Sequence, residues 1–536
     1  MKVPMKLSTL TKRPYDFKLP SNHSCPICGE TNIKYQFIIH GFTVVCCPGC
    51  GLISNALVEN KESHLDVYQG KDRELNAAAV LWTDSVTEKD AVMGYLSLLK
   101  SPGLNPKSRM LLIAPPDHIF ATEAAQAGWH VVQHKTADTL ETTRLNNGLD
   151  AAIILYQLEK SLNPAELLQK IYTALKPGGI LMVITPSLDS TSAQFFGRQW
   201  TEWRLENRYY FNQTTIQLLL WRTGFNQLAI RKDRRKYTLS HINDRARAFP
   251  KSWVTRSIQA VYHIVPAPLR DFRLRLPSSG KVITAVRGEL HEPQICSVVI
   301  PTFNESDTFP ILMDAILAKQ LPGGMVKEII VVESNSKDGT REQALKYQNL
   351  PGVKIILQDQ ARGKGNAVRE GFDHAQGDII LIQDADLEYD LNDYEALLDP
   401  ILAFKKPFIL GSRHGGKWKM RHFNDQQQLS AYFNFGHVLF TTLVNLLYGQ
   451  HMKDPFTMFK VFRRDCLYNL YFECNRFDFD FELVIKLIRK GYTPVEIPVN
   501  YNSRSYKEGK KVDMFRDPFT WVRALFKYRF AKITKD

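Results

Sequence analysis

Residues 378–393 read DIILIQDADLEYDLND. Four apolar residues, Ile379 to Ile382, run straight into Asp384, Asp386, Glu388, Asp390 and Asp393. A short apolar run that ends in polar residues predicts a buried strand of a parallel sheet. The acids then fall at the strand's carboxyl end, where open α/β sheets bind ligands. Asp384 and Asp386 flank a single alanine, and like charges that close call for a cation between them. Oxygen ligands suit Mg2+ or Mn2+, and Mg2+ takes its remaining ligands from water and substrate phosphates. Glu388 is spaced to assist, whereas Asp390 and Asp393 read as turn and helix-cap residues. Acidic turns after strands are common, so the surroundings must decide.

The chain has 536 residues, enough for about three domains. Hydrophobic content of 44% and charged content of 23% exclude a disordered or fibrous class. The net charge of +14 favours anionic partners such as nucleotides, phosphates or acidic lipid; no nucleic-acid partner is expected. The start, MKVPMKLSTLTKRPYDF, lacks the apolar core of a secretory signal. No apolar run reaches the length of a spanning helix. Residues 435–449 and the tail FTWVRALFKYRFAKI mix aromatic, aliphatic and basic side chains as interfacial helices do, although the former suits a core helix equally. The expectation is a cytoplasmic protein with peripheral contact at the inner face of the cytoplasmic membrane.

Three segments follow one another: 20–70, 75–288 and 291–536. In the first, Cys25-x2-Cys28 and Cys47-x2-Cys50 form two knuckles with Pro and Gly in their turns. That spacing predicts a structural Zn2+ held by four thiolates, with no open position for catalysis. In the second, apolar runs at 109–114, 129–134, 149–155 and 180–186 alternate with helical stretches near 119–127 and 164–175, a βαβ pattern. The basic run 231–236 reads as a solvated face or an attraction to anionic lipid or glycan, and PSSG at 277–280 as a turn before a last strand.

The stretches LDAAIILYQLEKSLNPAELLQKIYTALKPGGILMVITPS and FFGRQWTEWRLENRYYFNQTTIQLLLWRTGF resemble a class I S-adenosylmethionine-dependent methyltransferase. CPIC…CPGCGLI resembles the zinc-binding module often fused to it. The resemblance covers roughly 20–288 and implies a Rossmann-like domain. The cofactor signature does not accompany it. Ala114-Pro115-Pro116-Asp117-His118 stands where a Gly-rich turn should present backbone donors, and proline removes them. Gln133 and His134 stand where an acid should hold the ribose, so the domain reads as degenerate and S-adenosylmethionine is not expected.

From 294 the α/β pattern restarts. VVIPTFNE, IIVVESNSKDGT, RGKGNAVREGF, GDIILIQDADLE, GSRHGG, DPFTMFKVFRR and FDFELVIKLIRKGYTPVEIPVNYNSRSYKEGKK occur in order. This series resembles the family 2 glycosyltransferases of the glycosyltransferase-A fold, and within them the dolichyl-phosphate and polyprenyl-phosphate mannose synthases. The resemblance covers about 294–515. It implies that Pro301, Phe303 and Glu305 lie along the nucleotide's base and ribose. Glu333 would offer a carboxylate where relatives have Asp, and Ser334 stands where a second Asp is usual. Gly363 and Lys364, in a basic loop before a helix, would favour a phosphate. Arg413 would reach a phosphate oxygen with its fork, and Arg504 and Lys510 would close over the acceptor.

The implied reaction is metal-dependent, inverting transfer of a hexose from a nucleotide diphosphate sugar to a polyprenyl phosphate. Asp384, Asp386 and Glu388 would hold the metal. A glycan or lipid hydroxyl in envelope polysaccharide assembly is the alternative acceptor, and it needs a base. Asp478, Asp480 and Glu482 are the candidates for that role, with helix capping the competing role for Asp480. From another class, the chain could be a methyltransferase or a bifunctional enzyme.

Overall fold

The computed structural model describes residues 24–39, 42–56, 85–100, 104, 107–115, 118–136, 140, 148–247, 253–413, 427–502 and 516–535. The chain divides into two compact units, with the boundary between Glu289 and Leu290.

The unit before this boundary holds two sheets. β1 (Lys34–Ile39), β2 (Phe42–Cys46), β3 (Ile53–Ala56) and, from much later in the chain, β8 (Tyr209–Tyr210) form an antiparallel sheet in that order. Phe37, Val44, Trp200 and Trp203 pack together as its core. The larger sheet runs β5 (His130–His134), β4 (Arg109–Ile113), β6 (Leu149–Leu155), β7 (Leu175–Pro186), β10 (Leu274–Arg287), β9 (Phe225–Tyr237). Its first four strands are parallel and the last two antiparallel. The apolar runs that predicted strands form them, and the helices Phe120–Gln126 and Pro164–Ala174 stand where the helical stretches were expected.

Two expectations for this unit need correction. The run 231–236 lies within β9, and its alternation turns Asp233 into the core at 1% exposure. There Asp233 accepts hydrogen bonds from Tyr95 (2.8 Å), Ser278 (2.7 Å) and Tyr156 (3.1 Å), and Arg235 pairs with it at 3.1 Å. The run is therefore solvated on one face only. PSSG is no turn: residues 277–280 lie inside β10, and the register with β9 is irregular between Pro277 and Lys281. Prolines and glycines mark irregular strands as well as turns, and period-2 burial overrides the local charge density.

The second unit carries one seven-stranded sheet. Its order is β13 (Val353–Leu357), β12 (Val326–Glu333), β11 (Ile295–Thr302), β14 (Ile379–Ile382), β16 (Lys460–Arg463), β15 (Phe408–Ser412), β17 (Val495–Pro498). β13, β12, β11 and β14 are parallel, and β16 is antiparallel to both neighbours. All four residues of β14 are buried, as an apolar run inside a parallel sheet requires. The chain leaves β11 on one side towards β12 and returns on the other as β14. That reversal opens a crevice beyond the carboxyl ends of β11 and β14, and the acids after Ile382 fall at its rim.

The helices Gln427–Tyr448 and Arg516–Phe530 pack together, with the Tyr448 hydroxyl donating to the Leu525 carbonyl at 2.5 Å and Phe440 edge-on to Trp521. Phe440, Val444 and Leu525 are buried, whereas Phe435, Leu446, Phe519 and Phe530 are 68–83% exposed. Among the described residues, no helix is long and apolar enough to cross a membrane.

Candidate active site at the carboxyl ends of β11 and β14

Asp384 stands two residues past β14, its carboxylate oxygen 2.5 Å from the Lys364 ammonium. Asp386 is 8% exposed and accepts the Glu388 amide at 3.1 Å. Lys364 begins the helix Lys364–His374, and its ammonium lies 5.8 Å from the centre of the Phe477 ring. Burial works against the Lys364 charge, but Asp384, Asp480 and Asp386 outweigh it and hold its pKa above the ordinary lysine value. Asp384 thus pairs with this ammonium directly, while Asp480 and Asp386 act on it through charge.

Asp480, in the first turn of the helix Phe479–Arg489, carries the cluster inward. Its carboxylate lies 2.8 Å from the Lys460 ammonium, which is fully buried and also donates to the Thr457 carbonyl. Burial raises the Asp480 carboxyl, with Lys460 and Lys364 only partly offsetting it; burial lowers the Lys460 ammonium, with Asp480 opposing. Both shifts favour the uncharged forms, as for any ion pair denied water. Lys460 escaped the sequence reasoning because a lysine in an apolar strand, FKVF, carries no local mark of function; its alignment with Asp480 is purely tertiary. The other two candidates for a base are engaged elsewhere. Asp478 accepts the Arg476 amide, and Glu482, fully buried, accepts the amides of Glu473 and Cys474 and pairs with Lys486 at 2.6 Å.

The β11 side of the crevice is tied to the acid turn through Thr308. Its hydroxyl lies 3.0 Å from Glu305 Oε2 and 3.1 Å from the Ala385 carbonyl. The loops after β11 and β12 lock together: the Asn304 amide donates to Ser336, the Glu305 amide to Thr340 and the Ser306 amide to Asp338. Pro301 is buried in β11 and Phe303 is half-buried just beyond it.

Several residues take partners other than those the sequence suggested. Glu333 is fully buried, accepts the Asn335 and Ser336 amides and pairs with Arg341 at 2.5 Å, so its carboxylate braces its own loop. Ser334 donates to Gln358 at 2.8 Å. The fork of Arg413 meets Asp454, with Nε and a terminal nitrogen at 2.8 and 2.7 Å. Asp454 is fully buried, so this pair reads as a brace. The glycines of the basic loop are needed by protein packing. At Gly363, with φ of 104°, a Cβ would come within 2.5 Å of the Asn475 carbonyl, and at Gly365 within 2.5 Å of Phe479. The Asn366 amide of that helix start already donates to Asn475.

Glu388 accepts the Tyr501 hydroxyl at 2.6 Å, and its carbonyl accepts the Asn502 amide at 2.8 Å. It does not gather with Asp384 and Asp386 into a three-carboxylate group. Asp390 caps its own turn through the Asn392 amide, while Asp393 accepts from Asn500. Arg504 and Lys510 lie outside the described residues. Asn502, hydrogen-bonded beside the acid turn, precedes Arg504 by two positions.

In the first unit, the Sγ atoms of Cys25, Cys28, Cys47 and Cys50 all lie within 4.8 Å of one another. The two knuckles repeat the same bonds: the Gly29 amide donates to Cys25 and the Gly51 amide to Cys47, each at 2.9 Å. At the carboxyl ends of β4 and β5 stand Ala114, Pro115, Gln133 and His134, with Tyr156 past β6 at φ of 51°. Pro116, Asp117 and Asp138 lie outside the described residues.

A doubly wound sheet with Asp384, Asp386 and the half-buried Lys364 beyond a strand-order reversal is the architecture of the glycosyltransferase-A class. The model of the family described as Glycosyl transferase family 2 matches residues 297–470, and a Methyltransferase domain model matches residues 81–230. Dolichyl-phosphate beta-glucosyltransferase of Saccharomyces cerevisiae is 30% identical over 289 residues, 50% of this chain and 85% of that protein. Dolichol-phosphate mannosyltransferase of Pyrococcus furiosus is 28% identical over 216 residues, 40% of this chain and 58% of that protein. A crystal structure of glucosyl-3-phosphoglycerate synthase from Mycobacterium tuberculosis with uridine-diphosphate shares 20% identity over 45% of this chain and 82% of that one, with a TM-score of 0.34. The chain belongs to glycosyltransferase family 2 and is a glycosyltransferase carrying a methyltransferase-like domain ahead of its transferase unit.

Proposed function

We propose that the transferase unit moves a hexose, with inversion, from a nucleotide diphosphate sugar to a polyprenyl phosphate. The observation that carries this reading is the charge chain Asp386, Asp384, Lys364, Asp480, Lys460 at the crevice. Asp384 and Asp386 suit a Mg2+ or Mn2+ that completes its shell with the donor's diphosphate; when bound, the ion would supply positive charge against the leaving diphosphate. Without a donor, Lys364 neutralises Asp384. With one, Lys364 would offer its ammonium to a phosphate oxygen, and its raised pKa keeps it charged. Arg504 and Lys510 would add positive charge at the acceptor side.

The state of Asp480 favours a phosphate acceptor over a hydroxyl. A hydroxyl needs a base, and the Asp480 carboxylate is already shared with a buried ammonium at 2.8 Å. A phosphate is ionised near neutral pH and needs none. Both named relatives act on dolichyl or dolichol phosphate by their names. The exposed apolar faces of Gln427–Tyr448 and Arg516–Phe530 would bring the unit to the membrane holding such a lipid.

The four thiols suit structural Zn2+. With Zn–S near about 2.3 Å, tetrahedral sulfurs stand about 3.8 Å apart, close to the 3.5 Å of Cys25–Cys50 and 3.4 Å of Cys28–Cys47. The strand ends of the methyltransferase-like domain do not suit S-adenosylmethionine: Pro115 follows β4 without a glycine turn, and β5 ends in Gln133 and His134.

The test mixes the purified chain with labelled nucleotide sugars, Mn2+ and either polyprenyl phosphate or a glycan acceptor. Label should enter polyprenyl phosphate, and Asp386→Ala should abolish transfer with the melting temperature unchanged. Transfer to the glycan alone would replace the acceptor assignment.

A further inference from the structure

The methyltransferase-like unit carries an apolar bend that its own fold leaves uncovered. The chain runs from the helix Trp253–Ile264 through Pro266 and the short helix Ala267–Arg270 into β10. Ile264 is 81% exposed, Leu269 59%, Phe272 64% and Leu274 48%. The bend is held by backbone bonds, Val265 to Val261, Leu269 to Pro266 and Phe272 to Leu269. Arg270 braces it by donating to the Val265 carbonyl at 2.8 Å and stacking over Tyr262, and the Ser240 hydroxyl donates to Asp271. The apolar side chains are thus presented on an ordered frame.

Cations accompany them. Between 253 and 277 stand four arginines, 256, 270, 273 and 275, against one acid, Asp271. In β10, Arg275 alternates with Leu274 and Leu276, and Arg275 lies directly opposite Lys236 of β9. Like charges across a strand pair are unfavourable in isolation; Lys236 pairs with Asp90 at 2.7 Å, and among the described residues Arg275 forms no ion pair. A second copy docked here about a two-fold axis would set the same arginines against each other. An anionic surface with an apolar interior satisfies both features: the apolar residues enter the acyl boundary and the arginines reach the headgroups.

We propose that the bend from Val261 to Leu276 inserts into an anionic lipid surface. This gives the chain a membrane contact separate from the one proposed for the transferase unit, and it does not depend on which acceptor that unit uses. The test is flotation of the full chain with vesicles of phosphatidylcholine alone and of phosphatidylcholine mixed with phosphatidylglycerol. Binding should be stronger to the mixed vesicles. The Ile264→Glu/Phe272→Glu variant should weaken it by about tenfold or more, since each side chain forfeits its burial. Arg273→Glu/Arg275→Glu should remove the preference for phosphatidylglycerol. In the unmutated chain, mixed vesicles should slow hydrogen exchange of the amides of 261–276. Transfer to a short, water-soluble acceptor should be unchanged in both variants, which separates this proposal from the catalytic one. Flotation of the variants equal to the parent, no flotation of the parent, or unchanged exchange in 261–276 would overturn it. So would concentration-dependent dimers that Phe272→Glu abolishes, since the bend would then belong to a second copy.

Discussion

Replacing Asp454 by Asn asks whether Arg413 is a brace or a free ligand. Asp454 is fully buried and holds the Arg413 guanidinium by two bonds of 2.7 and 2.8 Å, with the Arg413 amide a third at 3.0 Å. Asp454→Asn preserves shape but strands a buried guanidinium, and breaking one partner of such a pair costs about 3–5 kcal/mol. For a unit of this size each kcal/mol moves the melting temperature by about 2–4 °C. Calorimetry should therefore show the transferase unit melting roughly 6–20 °C lower. The pH dependence carries a sign. Burial alone would raise the Asp454 pKa, but Arg413 outweighs it and holds the carboxyl well below the ordinary range. A depressed carboxylate gives stability that is present above the unfolded pKa and lost as pH falls through the folded one. The deficit of Asp454→Asn should thus stay constant from pH 5 to 8, to about the precision of the scan, and shrink only in strong acid. The Arg413→Met/Asp454→Leu double variant should recover most of the loss, because an apolar pair of similar volume replaces the ions. A drop of only a degree or two in Asp454→Asn, or a double variant no more stable than the single, would refute the brace.

Lys364→Met removes the cation from Asp384. Without donor, Mn2+ affinity measured by electron paramagnetic resonance should rise about tenfold, since a repelling charge at ion-pair distance is worth on the order of 1–4 kcal/mol; turnover should fall. Unchanged Mn2+ affinity would place the ion elsewhere. Glu159 is buried beside Thr185, and burial raises its pKa to about 7. A raised carboxyl gives stability that is present below the unfolded pKa and lost as pH rises through the folded one. From the ordinary 4.5 to about 7, the methyltransferase-like unit should lose about 3 kcal/mol. Glu159→Gln should flatten that slope, and a slope unchanged by the substitution would count against it. The chain should release one Zn2+ on thiol modification, and Cys28→Ser should lose the metal and melt lower; metal-free chain with unchanged melting would contradict a structural zinc.

The fold was legible where one physical signal dominated. β14 is four apolar residues with acids behind them, and β6 and β11 are runs of the same kind. The paired cysteine knuckles fix which thiols meet, because two tight turns leave their sulfurs little choice. The sequence was silent on partners where local chemistry and tertiary neighbour are set independently. Arg413, Glu333 and Glu388 have the residue types that bind nucleotides, yet Asp454, Arg341 and Tyr501 engage them. Nothing near Arg413 in sequence announces Asp454, forty-one positions away. Lys460 was invisible for the opposite reason: its strand is apolar, and its partner Asp480 is set by helix packing. The PSSG strand and the inward-facing Asp233 show composition yielding to sheet register.

A crystal grown with a nucleotide diphosphate sugar and Mn2+ tests the central claim most directly. An anomalous peak should lie between the Asp384 and Asp386 carboxylates and the diphosphate, with the Lys364 ammonium moved from Asp384 to a phosphate oxygen. A donor bound with no anomalous peak there, and Lys364 still seated on Asp384, would contradict it.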